Sequence, residues 1–240
     1  MIKKIANEIE ITHEDENLLV LDKPSGIVVN RSKTAREKTL QDYLDEYLNL
    51  PQPSEGAEGF TELNIFEQRS GLAHRLDKGT SGVLLVGKNP KVLSVLMSKF
   101  KAHKIHKEYL ALVHGKIRDK KIEIQAPLGR NPQSRIKFAV VEEGRASKTV
   151  IETLKVVGDF TLVTVKPETG RTHQVRVHMA AINHPIVGDR LYCPKSFLEG
   201  DMENVGRLML HARKISLIHP VSSKEVTYTA EIPEEFLRYY

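Results

Sequence analysis

Cysteine is almost absent from this sequence: Cys193 stands alone among 240 residues. One thiol excludes an internal disulfide and suits a reducing compartment. No apolar run approaches the roughly 18–20 residues that a bilayer span needs, and Met1-Ile2-Lys3-Lys4-Ile5 lacks a signal-peptide core. The expectation is a cytoplasmic protein with no membrane partner. Internal repeats and low-complexity tracts are missing as well. Neither sign of charge dominates: 36 Lys and Arg against 31 Asp and Glu leave a net +5, a lean toward a polyanionic partner. The 40% hydrophobic and 28% charged residues are those of an ordinary globular protein, and the length suits a single domain spanning 1–240.

Several cofactor and nucleophile signatures are also missing. Gly82-x4-Gly87-Lys88 imitates a phosphate loop, but Asn89 replaces the Ser or Thr, and Val83-Leu84-Leu85-Val86 reads as a strand. There is no Gly-x-Ser-x-Gly elbow and no paired-glycine dinucleotide fingerprint. Ten histidines invite a metal, yet His173 and His178 are five apart rather than four and no cysteine cluster accompanies them. The expectation is no metal and no cofactor.

What is present reads as strands with interspersed helices. Residues 8–22 suggest two short strands about a turn at His13–Asn17, the second being Leu18-Leu19-Val20-Leu21, and Lys23-Pro24-Ser25-Gly26 breaks the run. A helix starts at Thr39-Leu40 with Leu40, Tyr43, Leu44, Tyr47 and Leu48 on one face, and Pro51–Gly56 is loop-like. Asn89 caps a helix with Pro90 at its first position and a stripe of Val92, Leu93, Leu96, Met97 and Phe100. Lys107–Val113 reads as a strand and 121–166 as strands throughout, with Ile151–Val156 pairing to Phe160–Val165 across a Gly158-Asp159 turn. Strands resume at Leu208–His211 and Glu225–Ala230. The class is α+β, a mostly antiparallel sheet with helices packed on it.

Two stretches carry chemistry. His74-Arg75-Leu76-Asp77-Lys78-Gly79-Thr80-Ser81-Gly82 sets one carboxylate between two permanent cations ahead of a tight polar turn. If it enters as a strand, Arg75 and Asp77 share one face and His74 and Leu76 the other. Nearby positive charge favours an ionised Asp, and a positioned carboxylate is a nucleophile or general base. For an arbitrary Arg-x-Asp-Lys the alternative is a surface salt-bridge cluster. Gly170-Arg171-Thr172-His173-Gln174-Val175-Arg176-Val177-His178-Met179 reads as a helix capped near Thr172, extended by Ala180-Ala181-Ile182 and stopped at Asn183-His184-Pro185. A strand with Val175 and Val177 inward, or a plain amphipathic helix with a basic face, would also fit. Arg171 at a helix N-terminus calls for an anion. Tyr109 by default is a half-buried strand aromatic.

At every fixed position of His-Arg-Leu-Asp-x-x-Thr-Ser-Gly, the first stretch resembles the catalytic motif of the RluA-type RNA pseudouridine synthases. Gly170–His178 with His184-Pro185-Ile186-Val187-Gly188-Asp189 resembles that family's third motif, and Lys107-x-Tyr109 its tyrosine motif. Lys23-Pro24-x-Gly26 resembles its first motif, where many members carry His at the position aligned with Asn30. Arg207-Leu208-x-Leu210-His211-Ala212 matches a late strand. The resemblance runs from about residue 11 to residue 230. It implies the pseudouridine synthase fold, α+β with a mostly antiparallel mixed sheet, flanking helices and a central active-site cleft. It also implies isomerisation of uridine in structured RNA, ribosomal or transfer, after the base is flipped out.

In the roles the resemblance implies, Asp77 attacks or starts elimination and Arg171 pairs with it. Tyr109 lies over the uracil, Leu210 packs on the base, and Arg75 fills the gap that the base leaves. Lys99, Lys101, Lys104 and Lys107 would contact phosphates. The reaction has no redox change and needs no energy input, so neither metal nor cofactor is implied, and the partner is RNA, met by a monomer. Many relatives carry a small basic RNA-binding module ahead of the catalytic domain. About ten residues stand there in this sequence, so the catalytic domain is expected to capture RNA itself. The alternative is a non-catalytic RNA-binding or folding factor on the same scaffold, which would have no physical need for Asp77, Tyr109 and Arg171 together. A glycosidase usually needs two carboxylates, and these motifs offer one.

Overall fold

Strands dominate the described residues, 3–5, 9–32, 36–51 and 61–240 of a computed structural model. The chain divides into two units, one running to Ile105 and taking back Lys214–Glu231, the other comprising His106–Arg213 and Ile232–Tyr240. Every strand pairing with a described register is antiparallel, so the class is α+β as the pattern of hairpins indicates.

In the first unit β1 (Glu10–Glu14) pairs with β2 (Leu18–Lys23), and β2 with β3 (Ser81–Gly87). Leu18–Leu21 and Val83–Val86 are buried, which is why both runs are continuously apolar rather than alternating. Helix α1 (Leu40–Leu48) starts where Asp42 Oδ2 accepts both the amide and the hydroxyl of Thr39, each at 2.7 Å. It buries Leu40, Gln41, Leu44 and Asp45, while Tyr43, Tyr47 and Leu48 remain half-buried. Arg31 accounts for the buried Asp45, to which it is ion-paired. Helix α2 (Glu62–Arg69) is capped by Thr61, and α3 (Pro90–Lys101) by Asn89, whose side chain accepts the Val92 amide at 3.0 Å. Val92, Leu93 and Leu96 of α3 join Leu18, Val20 and Leu85 in one core.

The second unit holds β4 (His106–His114), β5 (Lys121–Gln125), the separate hairpin β6 (Leu128–Asn131) and β7 (Ser134–Val140), β8 (Lys148–Val157) and β9 (Phe160–Pro167). Its strand order is β4-β9-β8-β5. The β8–β9 turn lies at Gly158-Asp159, with Gly158 at φ +61°. The register slips between Thr153 and Lys155, a bulge that turns Leu154 out to 48% exposure. Helices α4 (Gln174–Ala181), α5 (Lys195–Asn204) and α6 (Glu234–Leu237) complete this unit. Strand β10 (Leu210–Ile218) begins in the second unit and ends in the first, where it pairs with β11 (Glu225–Thr229).

Local readings needed correction at several places. The 74–77 stretch is not a strand; β3 starts at Ser81. Helix α4 is capped by His173, at φ +57°, and not by Thr172, because residues 171–173 form a turn closed by the Gln174 amide on the Arg171 carbonyl, 3.1 Å. It has no basic face, since Gln174–Met179 are all buried. Strand β10 starts two residues later than expected, at Leu210. Helices α2, α5 and α6 went unread: α2 and α5 each bury a single residue, leaving little apolar period to detect. Of the loop-like Pro51–Gly56, all but Pro51 lies outside the described residues.

Gly188 is the tightest point of the second unit. Val187 threads between two neighbours there, donating to the Leu112 carbonyl (3.0 Å) and accepting from the Met209 amide (2.9 Å). Gly188 itself sits at φ +74°, and a Cβ built on it would lie 1.9 Å from the Arg207 carbonyl oxygen. Gly188→Ala combines a strained backbone with a backbone clash, so chemical denaturation should show a loss of at least about 2 kcal/mol.

Candidate active site

The signature stretch is a pinned loop. Leu72 bridges to Val86, the Ala73 amide donates to Leu85 (3.2 Å), and His74 Nε2 accepts the Leu85 amide (3.0 Å), so 72–74 run along β3. The chain then leaves β3 and returns at Ser81 through a turn closed by the Thr80 amide on the Asp77 carbonyl, 3.1 Å. The expected alternation survives in burial without a ladder: Leu76 is buried and His74 half-buried, while Arg75 is exposed and Asp77 half-exposed.

The far side of this turn is held by the Lys23-Pro24-Ser25-Gly26 segment. Lys23 has no exposed surface, and its ammonium donates to the carbonyls of Pro24 (2.8 Å), Ile27 (3.0 Å) and Lys78 (3.3 Å). The Gly26 amide donates to the same Lys78 carbonyl at 2.8 Å, with Gly26 at φ +99°, and Ser25 Oγ donates to Gly79 at 2.8 Å. Three residues of this four-residue segment thus grip the carbonyls of the two residues that follow Asp77. Arg75 has a second arginine nearby: burial and the charge of Arg75 hold Arg69 below its ordinary pKa.

Tyr109, Arg171 and Leu210 belong to the second unit. Tyr109 lies opposite Val165 in the β4–β9 pairing and packs half-buried against the core. Leu210 opens β10 at 4% exposure inside that core. Arg171 is half-buried; its Nε donates to the Ala146 carbonyl (3.2 Å), and its amide to Gln174 Oε1 (3.0 Å). Burial and the adjacent Arg145 lower its pKa, so this arginine too has a like charge beside it. Paired guanidinium groups with partial burial attract an anion such as phosphate.

The rest of the Gly170–His178 stretch is scaffold. Gln174 Nε2 donates to Lys148 O (2.9 Å) and Thr149 Oγ1 (3.0 Å), and Gln174 Oε1 accepts from Thr169 Oγ1 (2.7 Å). Arg176 makes a two-pronged buried ion pair with Asp189, both contacts at 2.7 Å. His178, fully buried against Ser147 and Thr149, has its pKa lowered by burial. Lys107 joins Tyr109's strand to Arg171's loop, its ammonium donating to Thr169 O at 2.8 Å. Of the other lysines expected near phosphate, Lys101 and Lys104 are exposed and Lys99 is half-exposed.

A possible metal-binding group escaped the sequence because its members are far apart in the chain. The donor atoms of buried His114, Cys193 and Asp201 lie within 4.8 Å of one another. Asp201 Oδ2 accepts the Gly188 amide (2.9 Å) and also meets His114 Nε2 (3.0 Å) and Cys193 Sγ (3.6 Å). Burial, then the Asp201 charge, push the Cys193 thiol up to about 12. A protonated thiol and a carboxylate oxygen already shared three ways describe a buried hydrogen-bond hub.

Burial pushes Lys107 down to about 8 from 10.5. Between those values the folded protein binds fewer protons here than the unfolded chain, so this group's contribution to stability rises with pH across that window. Below pH 8 the cost of the buried charge is fully present. Comparing wild type with Lys107→Met by denaturant unfolding from pH 7 to 10, the difference should move toward wild type by no more than about 3 kcal/mol. A pH-independent difference would mean that Lys107 titrates normally.

Comparison with known proteins agrees with these motifs. The profile of the RNA pseudouridylate synthase family matches residues 17–181. The chain is 34% identical over 239 residues to the ribosomal large subunit pseudouridine synthase D of Xanthomonas campestris, covering 96% of this chain and 68% of that protein. The Pseudomonas aeruginosa protein of the same name is 34% identical over 242 residues, covering 96% and 70%. Among solved structures, human RNA pseudouridylate synthase domain containing 1 superposes with a TM-score of 0.74 at 28% identity, covering all of this chain and 88% of that one. A match over most of the chain that includes the pinned Asp77 turn leaves one assignment: the chain belongs to the RNA pseudouridylate synthase family and is an RNA-modifying isomerase.

Proposed function

We propose that this enzyme flips specific uridines out of structured RNA and isomerises them with Asp77 as the catalytic carboxylate. Ribosomal RNA is the first substrate to test, since both bacterial relatives are named for the large ribosomal subunit, with transfer RNA second. The observation that carries the reading is the Asp77 turn: a half-exposed carboxylate on a loop whose next two peptide units are fixed by Lys23, Ser25 and Gly26. A surface salt-bridge cluster needs no such grip. Preorganising one reactive group in this way is what a positioned nucleophile or base requires.

The other residues handle substrate. Tyr109 offers a flat ring to a flipped uracil, and Leu210 belongs to the apolar core on which that ring packs. Arg171 with Arg145, and Arg75 with Arg69, supply positive charge for the RNA backbone and the reacting site. Exposed Arg75, two residues before Asp77, is suited to fill the vacated stack. No helix among the described residues is long and apolar enough to cross a membrane, and the proposed compartment is the cytoplasm.

Asp77→Ala should abolish isomerisation, read as tritium released from C5-labelled uridine in RNA, while RNA affinity stays within about threefold, because phosphate contacts dominate binding. Activity within tenfold of wild type would remove Asp77 from the reaction.

Arg75 separates flipping from chemistry. A wedge matters most where the base would otherwise return to its stack. In single-turnover assays Arg75→Ala should therefore lose far more activity on a folded stem-loop than on the same uridine in a short unstructured strand. Asp77→Ala should fail equally on both. Equal losses for Arg75→Ala, relieved at low salt, would instead describe a simple phosphate contact.

A further inference from the structure

A phenol carries one proton, and the Tyr192 oxygen meets two partners. It accepts the Phe138 amide from β7 at 2.9 Å and lies 2.8 Å from His173 Nδ1. The oxygen accepts that amide, and it meets His173 Nδ1 as donor or acceptor according to the His173 tautomer. His173 is the positive-φ cap of α4, two residues after Arg171, and a non-glycine residue in that conformation persists only where its surroundings hold it. Tyr192 is itself anchored. Its amide donates to Asp189 Oδ1 (3.2 Å), and the guanidinium of Arg176, ion-paired to Asp189, stands 5.1 Å from the centre of its ring.

The other partner is the β6–β7 hairpin, a two-stranded sheet of its own whose Leu128 is also bridged to Arg145. Two strands alone are marginal in water, so the hairpin depends on its tethers. It presents exposed Arg130, Arg135 and Ile136 and half-exposed Lys137. Phe138 lies beneath the Arg130 guanidinium (4.8 Å) and edge-on to the His173 ring (5.7 Å). One hydroxyl therefore joins a basic hairpin to the turn that carries Arg171.

We propose that Tyr192 is a positioning residue for the isomerisation, its hydroxyl joining the β6–β7 hairpin to the Arg171 turn so that RNA held by the hairpin's cations fixes Arg171. The proposal rests on the reading that Arg171 handles substrate. Engagement of Arg135 and Lys137 by phosphate restrains β7, the Phe138 amide holds Tyr192, and Tyr192 holds His173 and the turn before it. Gln174 Oε1 bonded to the Arg171 amide completes the linkage.

Tyr192→Phe removes the hydroxyl and keeps the ring over Arg176. Nitrogen-15 NMR of the His173 ring should show a single tautomer in wild type and mixed tautomers in the variant. Single-turnover isomerisation at saturating RNA should fall about tenfold, with RNA affinity within twofold. Combined with Arg135→Ala, the losses should be less than multiplicative, by a factor of three or more. An unchanged saturating rate, a loss confined to affinity, or independent losses would overturn the proposal. A readout without turnover separates this from failure of the functional reading. RNA should shift the Arg171 amide resonance in wild type and far less in Tyr192→Phe, even if Asp77 proves irrelevant. If Tyr192→Phe does not fold, Arg135→Ala alone should shrink that shift, and an undiminished shift would count against the joint.

Discussion

A lysine ammonium with no exposed surface, held by the carbonyls of Pro24, Ile27 and Lys78, is the constraint on which the Asp77 turn depends. Burying an ammonium costs several kcal/mol, and only a converging set of oxygens offsets that cost. Each hydrogen bond from a charged donor contributes roughly 1.5–3 kcal/mol, so losing one geometry puts the whole arrangement at risk. The three carbonyls come from two separate stretches of chain, which therefore cannot move independently. Strand β2 delivers Lys23 opposite Gly82, and β3 starts one residue before that. The turn between His74 and Ser81 is thus defined at both ends by the same strand pair.

The second unit reaches a comparable rigidity with neutral groups. Gln174 bonds Lys148, Thr149, Thr169 and Arg171, so a single amide ties the end of β9, the start of β8 and the cap of α4. His178 extends the network to Ser147 and through Thr149, and its lowered pKa keeps the ring neutral at physiological pH, as a buried acceptor and donor must be. Lys107 adds a charged tether to this loop, from the same face of β4 as Tyr109. A substrate that contacts Tyr109 and Arg171 would meet two groups already held in one framework.

The fold was legible where burial leaves an apolar run or stripe. Leu18–Leu21, Val83–Val86 and the α3 stripe are long apolar signals with clear caps, and the structure places elements there. The Gly158-Asp159 hairpin was legible because glycine supplies the positive φ that the turn uses. The bulge at Leu154 was not, since a register slip leaves no mark on composition. Helix α5 was hidden because Asp201, its buried residue, is polar and held by a distant histidine, amide and thiol. The His173 cap was missed for a related reason. Thr172 has the better capping chemistry, but the turn closed by the Gln174 amide on the Arg171 carbonyl puts the cap one residue on. The candidate site was legible as motif and not as arrangement: sequence singled out Asp77 and Arg171, while the roles of Lys23, Gln174 and Tyr192 exist only as contacts between distant segments.

Those contacts change how the charge of the protein is to be read. Lys23 is spent on carbonyls, Arg176 on Asp189, Arg31 on Asp42 and Asp45, and Lys107 on the Thr169 carbonyl. A net +5 counts these structural cations together with exposed Arg75, Lys78, Lys101, Lys104 and Arg135. Cations that keep contact with solvent can exchange counterions for phosphates, and those are the ones that would set the salt dependence of RNA binding. The internal set acts on shape, and its effect does not fade at high ionic strength because buried pairs are screened far less. In the proposed reading, capture of RNA and geometry of the Asp77 loop rest on separate groups of cations, which is why charge alone pointed toward a polyanion without pointing to the site.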